Sequence, residues 1–578
     1  MDVFATARAA GIHTEYLDAN GNHRPADVSV LQAVLVALSQ QISAENHTPI
    51  AHEGKVAFQG DFGRLWLLTC QLYSLRSDRN WGIGDFSDLR DLIALSRRWG
   101  CAGVGLNPLH ILFDDRPTEC SPYAPNSRLF LNTLYIDWSN VPELPKGWID
   151  ARADELARAK QSELVDYETV ALLKRAAARE AFRMFNAEPD AHRRESFATF
   201  CRRRGRSLRY FSCFEVLRKQ FSSVWWDWPE QWQRPSGNLI YTLRSGEYAD
   251  EIHFVEFTQW IADQQLSECA DAARRSGMKI GLYLDVAVGV QAGGFDSWYE
   301  QAAISRSLSV GAPPDALNTA GQDWGLSGFS GPGLRLRSFE PLRDILENGM
   351  RYSGAIRLDH VMGLRRIFLI PHGVSARDGV YIDMPFEEMA GVIAEASHQF
   401  RCIVIGEDLG TVPDGLRDQL KSRGILSYTV MMFERNDGGF IAPADFRSNS
   451  LVTFNTHDLA TFKGWHTGWD IATKQKLGID PGESADDRRA AKDALRRRVG
   501  LDGSMEVDFL TVMAELAKSP SRLLAIGIED LLGIEEQPNI PGTIGEHPNW
   551  RRKLPVGIEL FAERIDIQRL TSAMTGRS

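Results

Sequence analysis

The sequence predicts an α/β fold, a (β/α)₈ TIM barrel with a large helical insertion after its second strand and loop insertions around its mouth. Three observations predict it. Eight short runs are continuously apolar, as strands buried on both faces are. Helix-length amphipathic stretches separate several of them. Four of the runs end in acidic residues, which in a barrel gathers acids at one rim.

Residues 1 to 60 form a small N-terminal appendage with a helical pattern near Val30–Leu38. The barrel, 61–578, opens with LWLLTCQLYSL (65–75), then a helix in FSDLRDLIALSRRW (86–99) and a second strand in AGVGLNPL (102–109). Segment 140–275 is a helical insertion: ARADELARAKQSELVDYETVALLKRAAAREAFRMF repeats apolar residues at three- and four-residue intervals. KIGLYLDVAV (279–288) is the third strand. Segment 290–345, rich in Gly, Pro and Ser, is expected to be a mobile loop insertion at the active site. GAIRLDHV (354–361), RCIVIGEDLG (401–410), GILSYTVMMF (424–433), LVTFNTHD (451–458) and RLLAIGIEDLLG (522–533) complete the eight, with a helix in FEEMAGVIAEASHQF (386–400).

The composition narrows the function. A chain of 578 residues with 43% hydrophobic and 24% charged residues buries ample core without metal or disulfide. The net charge of -11 argues against a nucleic-acid partner. The seven cysteines share no metal-ligand spacing and fit scattered thiols in a reducing cytoplasm. The start MDVFATARAAGIHTEYLD lacks the pattern of a secretory signal, and no run is long enough to span a membrane.

The chemistry follows from the strand ends. The third ends near Asp285, the fourth in Arg357-Leu-Asp359-His360, the fifth in Glu407-Asp408 and the seventh in His457-Asp458. Any one of these has a bland alternative, such as a salt bridge for R-x-D or a capping pair for H-D. Together they form the carboxylate pair, with a cation and a third acid, that acetal cleavage requires. Arg357 stands two residues from Asp359 and keeps it ionised as a nucleophile. Glu407, among Asp359 and Asp458, is placed to hold a proton as the acid. His360 is taken as a core histidine bonding across strands. Trp225, Trp226 and Trp228 are taken as packing residues, with a carbohydrate platform as the alternative. The runs RRRGRSLR (202–209) and RRRVG (496–500) are taken as solvated helix faces.

GAIRLDHVMGLRRIFLIP (354–371), VIGEDLGTVP (404–413) and FNTHDLATFKGW (454–465) resemble the amylomaltases, the 4-α-glucanotransferases of glycoside hydrolase family 77. So do QLYSLRSDRNWGIGDFSDL (71–89), SPYAPNSRLFLNTLYID (121–137), VGAPPDALNTAGQDWGL (310–326) and NIPGTIGEHPNWRRKLP (539–555), in the same order. The resemblance implies Asp359 as nucleophile, Glu407 as general acid/base and Asp458 as the third acid. It implies glucan contacts from Arg357, His457, Ser121, Tyr123, Asp285, Asp315, Trp324 and Asn539. Three positions depart from the family pattern: Ala316-Leu317, Phe368-Leu369 and Leu459-Ala460. They lie near expected subsites and bear on chain-length preference.

The implied reaction is a retaining double displacement from an α-1,4-glucan donor to the 4-hydroxyl of a glucose or maltooligosaccharide acceptor. A loop at 311–330 is expected to exclude water. An amylase-type hydrolase would use the same carboxylates, and a non-catalytic glucan-binding protein is the alternative from another class. Carboxylates carry the chemistry, so no metal or organic cofactor is expected, and no calcium-loop signature is present.

Overall fold

A computed structural model describes residues 2–18, 21–42, 54–187, 190–314, 320–436, 439–502 and 505–577. Eight strands match the eight apolar runs: β1 Leu65–Cys70, β2 Gly103–Leu106, β3 Gly281–Val286, β4 Ala355–Leu358, β5 Ile403–Gly406, β6 Ser427–Val430, β7 Ser450–Thr453 and β8 Leu523–Gly527. They form one parallel sheet in the order β5-β4-β3-β2-β1-β8-β7-β6. A parallel bridge between Ile405 and Leu426 joins β5 to the start of β6. There the Leu426 N–H donates to Val404 O at 2.9 Å and the Gly406 N–H to Leu426 O at 2.7 Å. The sheet thereby closes into a barrel.

Alternation along the strands sorts side chains between two cores. Leu65, Leu67, Tyr283, Ala355, Ile405, Tyr428 and Leu523 fill the barrel interior. Trp66, Leu68, Leu282, Ile356, Val404 and Leu524 face the surrounding helices. Continuous apolar sequence is therefore what two-sided burial required. The outer layer includes α1 Phe86–Arg98, whose start is fixed by a reciprocal capping box between Asp85 and Asp88.

Between β2 and β3 the chain is mostly helical, with α2 Tyr167–Ala187, α3 Ala191–Phe221 and α4 Ala249–Arg275 the longest elements. α4 lies against α1, where Cys269 Sγ donates to Phe86 O. Arg202, Arg203, Arg206 and Arg209 are exposed, as a solvated face requires, and Arg204 alone of the run turns inward. Gly205 breaks the helical backbone at φ 56°, Arg203 pairs with Asp263 at 2.5 Å, and Arg204 reaches Asn348 at 2.8 Å. In the second run, Arg498 reaches Phe440 O.

Segment 290–345 differs most from expectation. Its described part is not an irregular loop. Val290–Gln291, Leu308–Ala312 and Gln322–Ser327 join Arg366–Pro371 and Val380–Asp383 in a five-stranded sheet, followed by α5 Glu340–Met350. Several of its glycines allow close approach: a Cβ on Gly311 would stand 2.1 Å from Gln322 O. The N-terminal appendage docks on the same sheet. The His13 N–H donates to Tyr381 O at 2.9 Å, and the Tyr16 ring meets Phe368 and Tyr381 edge-on. Trp225 and Trp228 are buried, with Trp225 Nε1 donating to Ala292 O.

The entry into β4 tolerates no side chain at Gly354, where a Cβ would lie 2.2 Å from Ile280 O. Gly354→Ala must push β4 off β3 and is expected to destabilise by about 1–3 kcal/mol. A thermal melt equal to that of the wild type would contradict this packing.

Candidate active site

The mouth of the barrel is organised around Arg357. Its neighbour across the sheet is Asp285, because β3 and β4 pair with those two residues in register. Arg357 Nη1 donates to both Asp285 oxygens, at 2.9 and 2.8 Å. The Tyr123 hydroxyl donates to Asp285 Oδ2 at 2.7 Å. The other guanidinium nitrogen, Nη2, lies 2.9 Å from Asp359 Oδ1 and 4.0 Å from Glu407 Oε2. One buried cation thus faces three carboxylates. Burial opposes its charge, but Asp285 and Asp359 outweigh that and hold Arg357 firmly protonated.

Glu407 follows β5 and is fixed by two backbone amides. Oε1 accepts from Leu409 N–H at 2.6 Å and Oε2 from His360 N–H at 3.0 Å. His360 can donate because the chain turns into the left-handed region at φ 50°, immediately after Asp359. The expectation of a core histidine bonding across strands is therefore corrected. The half-buried His360 ring stands edge-on to Trp324, 5.0 Å between centroids, and burial lowers its pKa to about 4.

The three acids differ in proton affinity. Burial raises Glu407 to about 7; Arg357 opposes this and Asp359 reinforces it. The leading cause is desolvation rather than the neighbouring negative charge anticipated from sequence. Burial also raises Asp359, to about 6, against the pull of Arg357. For Asp458 burial is outweighed by His457 and Asn539, and its carboxyl sits below the usual range. Asn539 Nδ2 donates to Asp458 Oδ1 at 2.6 Å, and His457 Nε2 lies 3.3 Å from Asp458 Oδ2. His457 is raised, since Asp458 overcomes the burial penalty.

Tyr123 stacks on His457 at 4.8 Å, and Ser121 lies two residues earlier in the same loop, half-buried. Asp315, with Ala316 and Leu317, lies outside the described residues. A cleft open to solvent is lined by Gln71, Asn107, Tyr123, Asp285, Arg357 and His457 among others. No group of three or more His, Cys, Asp or Glu among the described residues is arranged to hold a metal ion.

Sequence reasoning missed Glu529 and Asp530. The eighth apolar run ends in this acid pair, and that signal was available at the same strand-end position as the others. Glu529 lines the cleft. Asp530 Oδ1 accepts from Phe462 N–H at 2.6 Å and from Asn455 Nδ2 at 3.5 Å, anchoring both ends of the loop that carries His457 and Asp458. It also missed Gln537, whose Nε2 donates to Asp458 O and Asn539 O at 3.3 and 2.6 Å.

Comparison with known proteins gives a consistent answer. A family described as 4-alpha-glucanotransferase matches residues 70–559. The 4-alpha-glucanotransferase of Haemophilus influenzae is 36% identical over 542 residues, covering 86% of this chain and 77% of that protein. That of Mycobacterium tuberculosis is 35% identical over 541 residues, covering 88% and 74%. Among solved structures, the amylomaltase from Corynebacterium glutamicum superposes with a TM-score of 0.85 over 99% of both chains, at 25% identity. The amylomaltase from Streptococcus agalactiae in complex with acarbose shares the fold, with a TM-score of 0.72 at 20% identity over 89% of this chain and 99% of that one.

Burial raises both Glu529 and Asp530 to about 7. An acid raised in the folded state favours folding below its unfolded pKa, roughly 4.3 for Glu, and that contribution is lost as pH rises through 7. Glu529→Gln cannot ionise. Its melting temperature relative to the wild type is expected to be higher at pH 8.5 than at pH 5. An equal difference at both would show that Glu529 is not buried as described.

Proposed function

The chain belongs to the 4-α-glucanotransferases of glycoside hydrolase family 77, and on that footing we propose that Asp359 is its nucleophile, Glu407 its general acid and base, and Asp458 its third acid. The chain is an enzyme that transfers segments of α-1,4-glucan. The observation that carries the residue roles is the single guanidinium of Arg357, 2.9 Å from Asp359 and 4.0 Å from Glu407. It keeps the two carboxyls close, as a retaining pair must be, and it favours ionisation of the nearer one.

The donor glucan lies across the mouth with its scissile bond between the two groups. Asp359 attacks the anomeric carbon while Glu407 gives its proton to the departing 4-oxygen, leaving a β-linked glucosyl ester on Asp359. The shortened glucan leaves and an acceptor glucose or maltooligosaccharide enters. Glu407, now ionised, takes the proton of its 4-hydroxyl, and that oxygen attacks the anomeric carbon. The ester breaks, Asp359 is regenerated, and the new bond is again α-1,4. Asp458 and His457 bind ring hydroxyls of the distorted sugar. Arg357 and Tyr123 complete that subsite, with Asp285 holding both in place. Trp324, Ser121, Asp315 and Asn539 extend the contacts along the glucan.

The catalytic unit is the barrel, 61–578, with the helical insertion 140–275 and the insertion 290–345 both serving its mouth; 1–60 is an appendage. The second insertion brings Trp324 against His360, one residue from the nucleophile, where an aromatic cover disfavours water relative to a sugar acceptor. The seven cysteines are unpaired, which fits a reducing cytoplasm. No helix among the described residues is long and apolar enough to cross a membrane.

Maltotriose should be converted to glucose and longer oligomers with almost no net gain in reducing ends; a steady rise in reducing ends would contradict transfer. Asp359→Asn is expected to lower kcat on the order of 10⁴-fold or more. The pair titrates with apparent values near 6 and 7. Below the first the nucleophile takes a proton, and above the second the acid loses its own. A kcat/KM profile that peaks between them is expected, and Glu407→Gln should abolish the alkaline limb. A profile flat from pH 5 to 9 would reject the assignment.

A further inference from the structure

The site contains a strained residue that this chemistry does not use. Six non-glycine residues among those described have positive φ, and two of them, His360 and Trp550, stand at the mouth. The turn at His360 is accounted for by its amide on Glu407. Trp550 has φ 59°, a conformation that a bulky side chain rarely adopts, and it is 6% exposed.

Its surroundings hold it there from both sides. The Trp550 N–H donates to Pro538 O at 3.1 Å. Its carbonyl accepts from the Tyr167 hydroxyl at 2.8 Å, a buried bond from the first turn of α2. The chain beyond pairs antiparallel with the segment leading into α2. The Val165 N–H donates to Arg551 O at 2.6 Å and the Lys553 N–H to Glu163 O at 3.0 Å, around a bridge between Leu164 and Arg552. The strained turn is therefore fixed by the helical insertion on one side and by the segment after β8 on the other.

The indole it presents lies 5.4 Å from the Tyr123 ring and 5.4 Å from the His457 ring. Those two rings stack on each other at 4.8 Å, so the three close a triangle. Tyr123 has a short bond to Asp285. Among the described residues His457 has only long polar contacts, 3.3 Å to Asp458 and 3.4 Å to the Tyr123 hydroxyl. Contacts at the long end of the hydrogen-bond range hold a ring's tilt only weakly, and the packed indole adds a wall to them. An ordinary backbone conformation at position 550 would point the Cα–Cβ bond elsewhere and leave His457 without that wall.

We propose that Trp550 is a positioning residue for glucan transfer, held in its left-handed turn by Tyr167 and the 163–165 pairing so that its ring fixes His457 and Tyr123 against the glucosyl unit nearest Asp359. This gives the helical insertion a part in catalysis, and it rests on the assignment of the mouth as the glucan cleavage site.

Trp550→Gly is the informative variant, because glycine accepts φ 59° and removes only the ring. Misplacement on the scale of 1 Å costs about 100-fold in rate. With wild-type-like circular dichroism, kcat for maltotriose disproportionation is expected to fall 10- to 100-fold, with KM changed less than about threefold. Trp550→Phe, which keeps a ring, should recover to within about threefold of wild type. Tyr167→Phe leaves the ring but frees the carbonyl and should lose several-fold in kcat alone. A folded Trp550→Gly with wild-type kcat, or a Phe variant as impaired as the Gly variant, overturns the proposal. If Trp550→Gly does not fold, Tyr167→Phe decides, and an unchanged kcat overturns it. Asp359→Asn is run alongside: if it is inactive while Trp550→Gly is not impaired, positioning alone fails, and if it stays active, both assignments fall.

Discussion

A guanidinium buried among three carboxylates is the constraint on which the rest of this site depends. Taking Arg357 out of water is costly unless its charge is matched and its N–H groups are satisfied. Asp285, on the neighbouring strand, matches it with both carboxylate oxygens on Nη1, which anchors that end of the guanidinium. Its second nitrogen is then aimed at Asp359, with Glu407 in its outer reach. The same burial that makes the cation costly raises both acids, to about 6 and about 7. Distance from one cation thus separates two similar carboxyls, as the proposed roles of attacking group and proton holder require.

That arrangement requires the strands and loops to be in fixed relation. Register between β3 and β4 sets Asp285 beside Arg357. The loop after β7 is tied to β8 through Asp530 and to the C-terminal segment through Gln537 and Asn539. Each tie joins elements distant in sequence, and the helical insertion reaches the same place through Tyr167. Nearly every polar group at the mouth is oriented by another from a different strand end, which is how a barrel builds one geometry from eight connections.

The barrel was legible because two-sided burial writes a continuous apolar run for every strand, and all eight runs contain one. Which strand ends carry acids was legible for the same reason, since strand polarity alone sends those ends to one rim. The wiring between them was not. Nothing in the sequence says that Asp285 has both oxygens engaged by Arg357 and Tyr123, or that His360 turns to donate its amide to Glu407. Segment 290–345 looked irregular because its antiparallel strands need Gly and Ser for close packing, as at Gly311, and such composition is also that of loops. The arginines of 202–209 are solvated except Arg204, and that exception was not legible because the turn at Gly205 beside it depends on a dihedral angle. The acids Glu529 and Asp530 were visible at a strand end but were not weighed with the others. Trp550 matters through its φ angle and its ring neighbours, which no motif encodes.

The central claim is that Asp359 forms the covalent bond to glucose and Glu407 controls its making and breaking. The most direct measurement is mass spectrometry of the Glu407→Gln protein after brief exposure to an α-maltosyl fluoride. Fluoride leaves without an acid, while the missing base slows the second step, so the intermediate should accumulate. One maltosyl unit per chain on the peptide containing Asp359 is the predicted result. A label on Asp458, Asp285 or any other residue, or turnover of the fluoride with no label at all, would contradict the account.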